Sequence, residues 1–106
     1  MRLQIPLALA SLVFPLGTEA VGQHIIAHRG ASHDAPENTL AAFHLAWQRS
    51  ADGIEGDFRL TSDGQIVCIH DADAERVAGK KLVVSETPFA VLRDLDVGSW
   101  KAPQYE

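Results

Sequence analysis

The chain has 106 residues, 22% of them charged and 46% hydrophobic, a balance that excludes a disordered or low-complexity protein and suits a globular domain. Its 14 acidic residues against 9 basic ones leave a formal charge of -5, with no cluster of Lys or Arg; this argues against nucleic-acid binding and disfavours docking on an anionic membrane surface. The lone cysteine, Cys68, rules out an internal disulfide and a cysteine-based zinc motif, and its setting between Val67 and Ile69 suits a small hydrophobe in a strand.

The amino terminus reads apart from the rest. After Met1 and Arg2 comes a mostly apolar segment, LQIPLALASLVFPLG, broken by Pro15 and Gly17 and followed by the small residues a signal peptidase needs. The expectation is a signal peptide over residues 1–20, a mature chain starting near Val21, and export to a periplasmic or extracellular location. A membrane-spanning helix needs about 20 uninterrupted apolar residues, so a stable anchor ranks below the signal; the plain alternative is an ordinary amino-terminal helix or strand of the domain.

Residues 25 to 28 of IIAHRGASHDAPENT have the pattern of a short buried strand, and Gly30 with Pro36 marks the loop that follows. That apolar run ends on His28, Arg29 and Gly30, a titratable base, a fixed cation and a backbone hinge, for which a packed core has no use. A helix is predicted next. Asn38 or Thr39 can cap it, Leu40, Phe43 and Trp47 recur at helical spacing to form its docking face, and residues 50–53 stop it. A strand, loop and helix followed by another strand open a βαβ unit, which favours a parallel α/β sheet or barrel with ligands at the carboxyl ends of its strands.

The stretch GIEGDFRLTSDGQIVCIHD, residues 53 to 71, alternates: Ile54, Phe58 and Leu60 share one parity and Glu55, Asp57 and Arg59 the other. The spacing predicts one strand with an apolar face, joined by a two-residue Asp63-Gly64 turn to an antiparallel partner over residues 65–70. Leu60 would then face Val67, Phe58 face Ile69, Arg59 face Cys68 and Asp57 face His70. A shift of two residues brings His70 opposite Glu55, whereas a shift of one step mixes polar with apolar and is rejected on this reading. Either accepted register puts His70 beside two carboxylates.

Glu55 and Asp57 project the same way from a strand, and two adjacent anions raise each other's pKa unless a cation lies between them. Oxygen donors of this kind select calcium or magnesium over zinc. An isolated E-x-D is more often a solvated strand face with Arg59 as an ion-pair partner. His24, His33 and His44 have ordinary settings at a strand entrance, in a loop and on a helix side. Two histidines at strand ends, two carboxylates and an arginine nonetheless suit cleavage of a phosphodiester, which needs a base for the attacking oxygen, an acid for the leaving alkoxide and positive charge on the phosphoryl oxygens. Arg29 can bind two phosphate oxygens at once, and a cation can lower the pKa of an attacking hydroxyl.

The stretches IIAHRGAS, APENTLAAF, ADGIEGDFRLTSDGQIVCIHD and LRDLDVGSW, in this order and spacing, resemble the amino-terminal part of the glycerophosphodiester phosphodiesterases, from about Ile25 to Trp100. The resemblance implies a TIM-type (β/α)8 barrel. It also implies that His28 and His70 are the acid/base pair in either order, that Glu55 and Asp57 bind one calcium or magnesium ion, and that Arg29 holds the phosphate. The implied substrate is a small glycerophosphodiester such as glycerophosphocholine, cleaved to glycerol 3-phosphate and an alcohol, with a cyclic phosphate as a possible intermediate. A complete barrel takes about 250 residues, so residues 21–106 are expected to supply only its amino-terminal part. In the family a third metal carboxylate comes from a later strand, and Glu106 does not match it.

In the tail, Thr87 is expected to cap a short helix with Pro88 at its first position and Phe89, Leu92 and Leu95 beneath it; Trp100 is expected to close one side of the site. Two other functions fit the same residues. One is a phospholipase D-like relative acting on sphingomyelin or lysophospholipid, and the other a truncated, non-catalytic metal-binding remnant.

Overall fold

In the computed structural model, which describes residues 22–106, the expected leader over residues 1–20 lies outside the described residues. Strand β1 (Ile26–His28) leads through a loop into helix α1 (Leu40–Gln48), and the chain returns as strand β2 (Gly53–Glu55), parallel to β1. This is the expected βαβ opening. The register sets Ile26 against Gly53, Ala27 against Ile54 and His28 against Glu55.

Helix α1 starts at Thr39, whose hydroxyl accepts from the Ala42 N–H at 3.3 Å and donates to the Pro36 carbonyl at 2.7 Å. It ends where Ser50 turns left-handed at φ 62°. The face it buries is not the expected one: Ala42 and Ala46 are buried, whereas Leu40 and Trp47 are exposed and Phe43 is half-buried. The reason is close approach. Gly30 lies so near α1 that a Cβ there would come within 2.7 Å of the Ala42 carbonyl carbon, and the Ala31 N–H donates to Ala42 O at 2.9 Å. Only small side chains fit along that seam. Leu40, Phe43 and Trp47 instead line an open apolar groove with Ile54 and Phe58. β1 also departs from expectation, because Ile25 and Ile26 are exposed rather than buried.

The single strand expected over residues 53–60 is divided. Beyond β2 the Asp57 N–H donates to the Asn38 side-chain oxygen at 3.1 Å, which diverts the backbone before strand β3 (Phe58–Leu60). β3 pairs antiparallel with strand β4 (Ile66–Cys68), matching Phe58 to Cys68, Arg59 to Val67 and Leu60 to Ile66. This is the one-step register that segregation of polar from apolar residues rejects. The turn decides it. Thr61 and Gln65 close a three-residue loop of Ser62, Asp63 and Gly64, with Gly64 at φ 78° and the Gln65 N–H donating to the Thr61 hydroxyl at 2.9 Å. Segregation exerts little force here, because Phe58, Leu60 and Ile66 are 64%, 58% and 69% exposed and no buried face fixes the pairing. Ile69, not His70, consequently stands across from Asp57, its N–H donating to Asp57 O at 2.9 Å.

After β4 come the short helices α2 (Glu75–Ala78) and α3 (Phe89–Leu92), with a 3-10 turn over Val84–Glu86 between them. Pro88, not Thr87, is the N-cap of α3; the Thr87 hydroxyl donates instead to Val83 O at 2.8 Å. The Phe89 N–H at the head of α3 is taken by the Asp63 carboxylate at 3.0 Å, so the hairpin loop caps this helix. The core is small and made of short side chains: Ala35, Ala42, Ala46, Ala74, Val77, Val84 and Leu92. Lys101 and Tyr105 fasten the tail to the β1–α1 loop by donating to Ser32 O at 2.9 Å and Asp34 O at 3.2 Å. Among the described residues, no helix is long and apolar enough to cross a membrane.

Candidate active site

His28 ends β1 opposite Glu55, with its Nε2 3.9 Å from Glu55 Oε2. The chain then turns sharply. Arg29 and Gly30 both take left-handed backbone, at φ 57° and 77°, and the Arg29 N–H donates to both the carbonyl and the carboxylate of Glu55, at 2.9 and 3.1 Å. A non-glycine residue in this region is strained and persists only where its surroundings hold it. The reversal turns the guanidinium inward, where Nη1 donates to Glu37 Oε1 at 3.2 Å. The buried Nε lies 3.0 Å from Asp57 Oδ2 but off the hydrogen-bond line; it pairs by charge and has no hydrogen-bond partner.

Asn38 is the second pivot, buried and left-handed at φ 58°. Its side-chain amide clasps Asp57 twice, Nδ2 donating to Oδ2 at 3.0 Å while Oδ1 accepts the Asp57 N–H. That hydrogen bond is the chief reason the Asp57 carboxyl lies below its ordinary range; the charges of Arg29, His70 and His28 add to it against partial burial. Cys68 borders the same residue, its Sγ donating to Asn38 Oδ1 at 3.4 Å, and burial pushes its thiol pKa up, with the Asp57 and Glu55 charges adding.

His70 is held from two sides. Its carbonyl accepts from Arg59 Nε and Nη2 at 3.0 and 2.6 Å, and its Nδ1 lies 2.7 Å from Asp71 Oδ1. The other Asp71 oxygen accepts from Arg76 Nε at 2.7 Å, and Arg76 grips Glu37 with both terminal nitrogens at 3.0 and 2.8 Å. Arg76, and then His70, draw the Asp71 carboxyl down to about 2. Glu37 is likewise lowered, first by Arg76 and then by Arg29. Trp100 does border the site, its ring centroid 5.8 Å from the Arg76 guanidinium carbon. His24, His33 and His44 stay exposed and outside this group.

The five expected residues therefore gather around Asp57, but His70 reaches it from beyond the β3–β4 pairing and Arg29 already neutralises two carboxylates. Sequence reasoning missed Glu37, Asp71 and Arg76, and it read Asn38 only as a helix cap. For a cation, Glu55 and Asp57 offer hard oxygen donors, and their contacts with the protein fall on Oε2 and Oδ2 alone, leaving Oε1 and Oδ1 to a ligand. The donor chemistry fits calcium or magnesium, although no group of three or more metal-ligating side chains occurs among the described residues.

The signature of the glycerophosphoryl diester phosphodiesterase family matches residues 28–106. The chain belongs to that family. It is 49% identical over 76 residues to the Mycobacterium tuberculosis protein named "Probable glycerophosphodiester phosphodiesterase 1", a match covering 72% of this chain and 28% of the relative. An Oleispira antarctica phosphodiesterase, solved in complex with the product sn-glycerol-3-phosphate, superposes with a TM-score of 0.75 at 44% identity, covering 78% of this chain and 34% of that one. The glycerophosphodiester phosphodiesterase of Agrobacterium tumefaciens superposes with a TM-score of 0.76 at 38% identity, over 78% of this chain and 36% of that one. The fold is thus the TIM-type barrel of this family, of which the chain carries the amino-terminal portion, about a third of the relatives' length.

Proposed function

We propose that the protein hydrolyses glycerophosphodiesters, with His28 and His70 as proton acceptor and donor in either order and Arg29 as the phosphate ligand. The observation that carries this reading is the half-buried Arg29 at the end of β1, whose left-handed backbone sets its guanidinium between Glu37 and Asp57 beside His28. The Arg29 Nη2 makes no hydrogen bond with the described residues, and a phosphate oxygen is the natural acceptor for it. The product bound to the Oleispira antarctica relative is a glycerol phosphate, which fits that role. Either a small glycerophosphodiester or a lysophospholipid carries this group, and the apolar groove beside α1 does not choose between them.

In the proposed reaction one histidine removes the proton of the glycerol hydroxyl next to the phosphate, and that oxygen bonds to phosphorus. The bond from phosphorus to the head-group oxygen breaks, and the second histidine gives the departing alkoxide its proton. Water then opens the cyclic phosphate with the proton roles reversed. Glu55 and Asp57 would hold one divalent cation, calcium or magnesium, which when bound supplies positive charge beside the phosphate.

The test is hydrolysis of glycerophosphocholine by the complete protein and by its His28→Ala and His70→Ala variants. Both side chains reach solvent, His28 more than His70, so the fold should survive while turnover falls by roughly 10²–10⁴-fold. A His70→Ala variant with undiminished turnover would sink the assignment. Calcium or magnesium binding by calorimetry, with no turnover of any diester, would leave a metal-binding remnant in its place.

A further inference from the structure

An ionised carboxylate can only accept hydrogen bonds, so its partner must bring the proton. Asp71 is such a group. Its Oδ2 receives the Arg76 Nε–H at 2.7 Å, and this contact more than any other keeps the carboxyl ionised down to about pH 2. Its Oδ1, 2.7 Å from His70 Nδ1, can then only be receiving the Nδ1 proton. In the neutral ring this leaves the lone pair on Nε2, the reverse of the tautomer a free histidine side chain favours in water.

The arginine that fixes Asp71 is itself fixed. Arg76 binds both oxygens of Glu37 and lies against Trp100, and Glu37 also binds Arg29. The contacts run without a gap from the guanidinium read above as the phosphate ligand to the imidazole read as a proton carrier. We propose that Asp71 and Arg76 are positioning residues of this site: through Glu37 they tie the His70 ring to Arg29 and hold it with the proton on Nδ1 and Nε2 free to exchange a proton with a ligand. Arg76 is needed for its shape as well as its charge, since one planar fork spans two carboxylates that a lysine would meet at a single point.

The proposal rests on the phosphodiesterase reading for what Nε2 does, but its test needs no diester. The ring nitrogens of His70 are observed by ¹⁵N NMR in the full chain, at a pH where the imidazole is neutral. Nδ1 is expected to be the protonated nitrogen. Asp71→Ala should move the tautomer ratio by about tenfold or more toward the Nε2–H form, as loss of a charge-assisted hydrogen bond requires. Arg76→Met should move it the same way by less, and Arg76→Lys by less again. A majority of Nε2–H in the unaltered chain would overturn the proposal outright, and that reading stands even if a variant fails to fold. A ratio unmoved by Arg76→Met would remove Arg76 from it. Retained turnover in His70→Ala, by contrast, would defeat the phosphodiesterase reading and leave the ring geometry untouched.

Discussion

Replacing Asn38 by alanine should cost more than any other single polar substitution in the site. Three losses add. The charge-assisted bond from Nδ2 to Asp57 Oδ2 is worth about 1.5 kcal/mol at the low end appropriate to a partly exposed carboxylate. The Asp57 N–H, now without the Asn38 oxygen, loses about 1 kcal/mol more. Alanine at φ 58° adds about 1 kcal/mol of left-handed strain that asparagine tolerates better. The expected loss is therefore about 3–4 kcal/mol, read by urea unfolding of the full chain. Asn38→Gly relieves the strain but adds about 0.5–1 kcal/mol of unfolded-state entropy, so it should fall close to the alanine variant. In both variants ¹³C titration should show the Asp57 carboxyl rising toward its ordinary value, because the Asn38 bond is the main cause of its depression. A loss under about 1 kcal/mol, or an Asp57 titration that does not move, would refute the reasoning and assign the turn to packing of Ala35 and Pro36 instead.

The acid response follows from Asp71. Its folded pKa of about 2 lies below the unfolded value near 3.8, so its contribution is fully present above about pH 4 and is lost as pH falls through 2. NMR titration should find Arg76 and His70 releasing Asp71 in that window, and Arg76→Met should move the transition upward; an Asp71 that titrates normally in the unaltered chain would contradict the ion-pair geometry. Gly30→Ala and Gly64→Ala share the backbone strain, at φ 77° and 78°, but only the first presses a new Cβ against Ala42, 2.7 Å from backbone. Gly30→Ala should be destabilising by about 2 kcal/mol more than Gly64→Ala in urea unfolding, and equal losses would mean that α1 shifts to make room. Export is tested by amino-terminal sequencing of protein recovered outside the cytoplasm: a start near Val21 is expected, and a start at Met1 would remove the signal peptide.

What could be read in the sequence was whatever short-range chemistry decides. A cap for α1 at Asn38 or Thr39, of which the structure uses Thr39, and the βαβ order needed no tertiary information, and the parallel pairing of β1 with β2 then set His28 opposite Glu55. The hairpin register was not legible from its apolar alternation. Side-chain bonds from Thr61 and Asp63 chose a three-residue loop, and the strand faces that should have protested are exposed. The docking face of α1 failed for a related reason: periodicity marks large apolar residues, while the seam with Gly30 admits only alanine. Glu37 and Arg76 stand 39 residues apart, the first on a loop and the second on a helix too short to show any period, so no local signal joins them.

The loop between β1 and α1 explains why so much of the site depends on so few residues. Arg29 and Asn38, with Ser50, are the non-glycine residues at positive φ among the described residues, and the Asn38 N–H donates to Arg29 O at 3.1 Å to close the loop on itself. Two left-handed residues bracket a segment in which the Glu37 carboxylate takes two arginines. Left-handed backbone costs about 1–3 kcal/mol at Arg29 and less at Asn38, and it persists only where neighbouring contacts over-determine the conformation. Those contacts are the site itself: Glu55 and Glu37 on Arg29, Asp57 and Cys68 on Asn38. The polar residues are therefore not set on a finished scaffold. They hold the turn, the turn aims Arg29 inward, and a substitution at Asn38 or Glu37 should loosen Arg29, the proposed phosphate ligand, and the fold together.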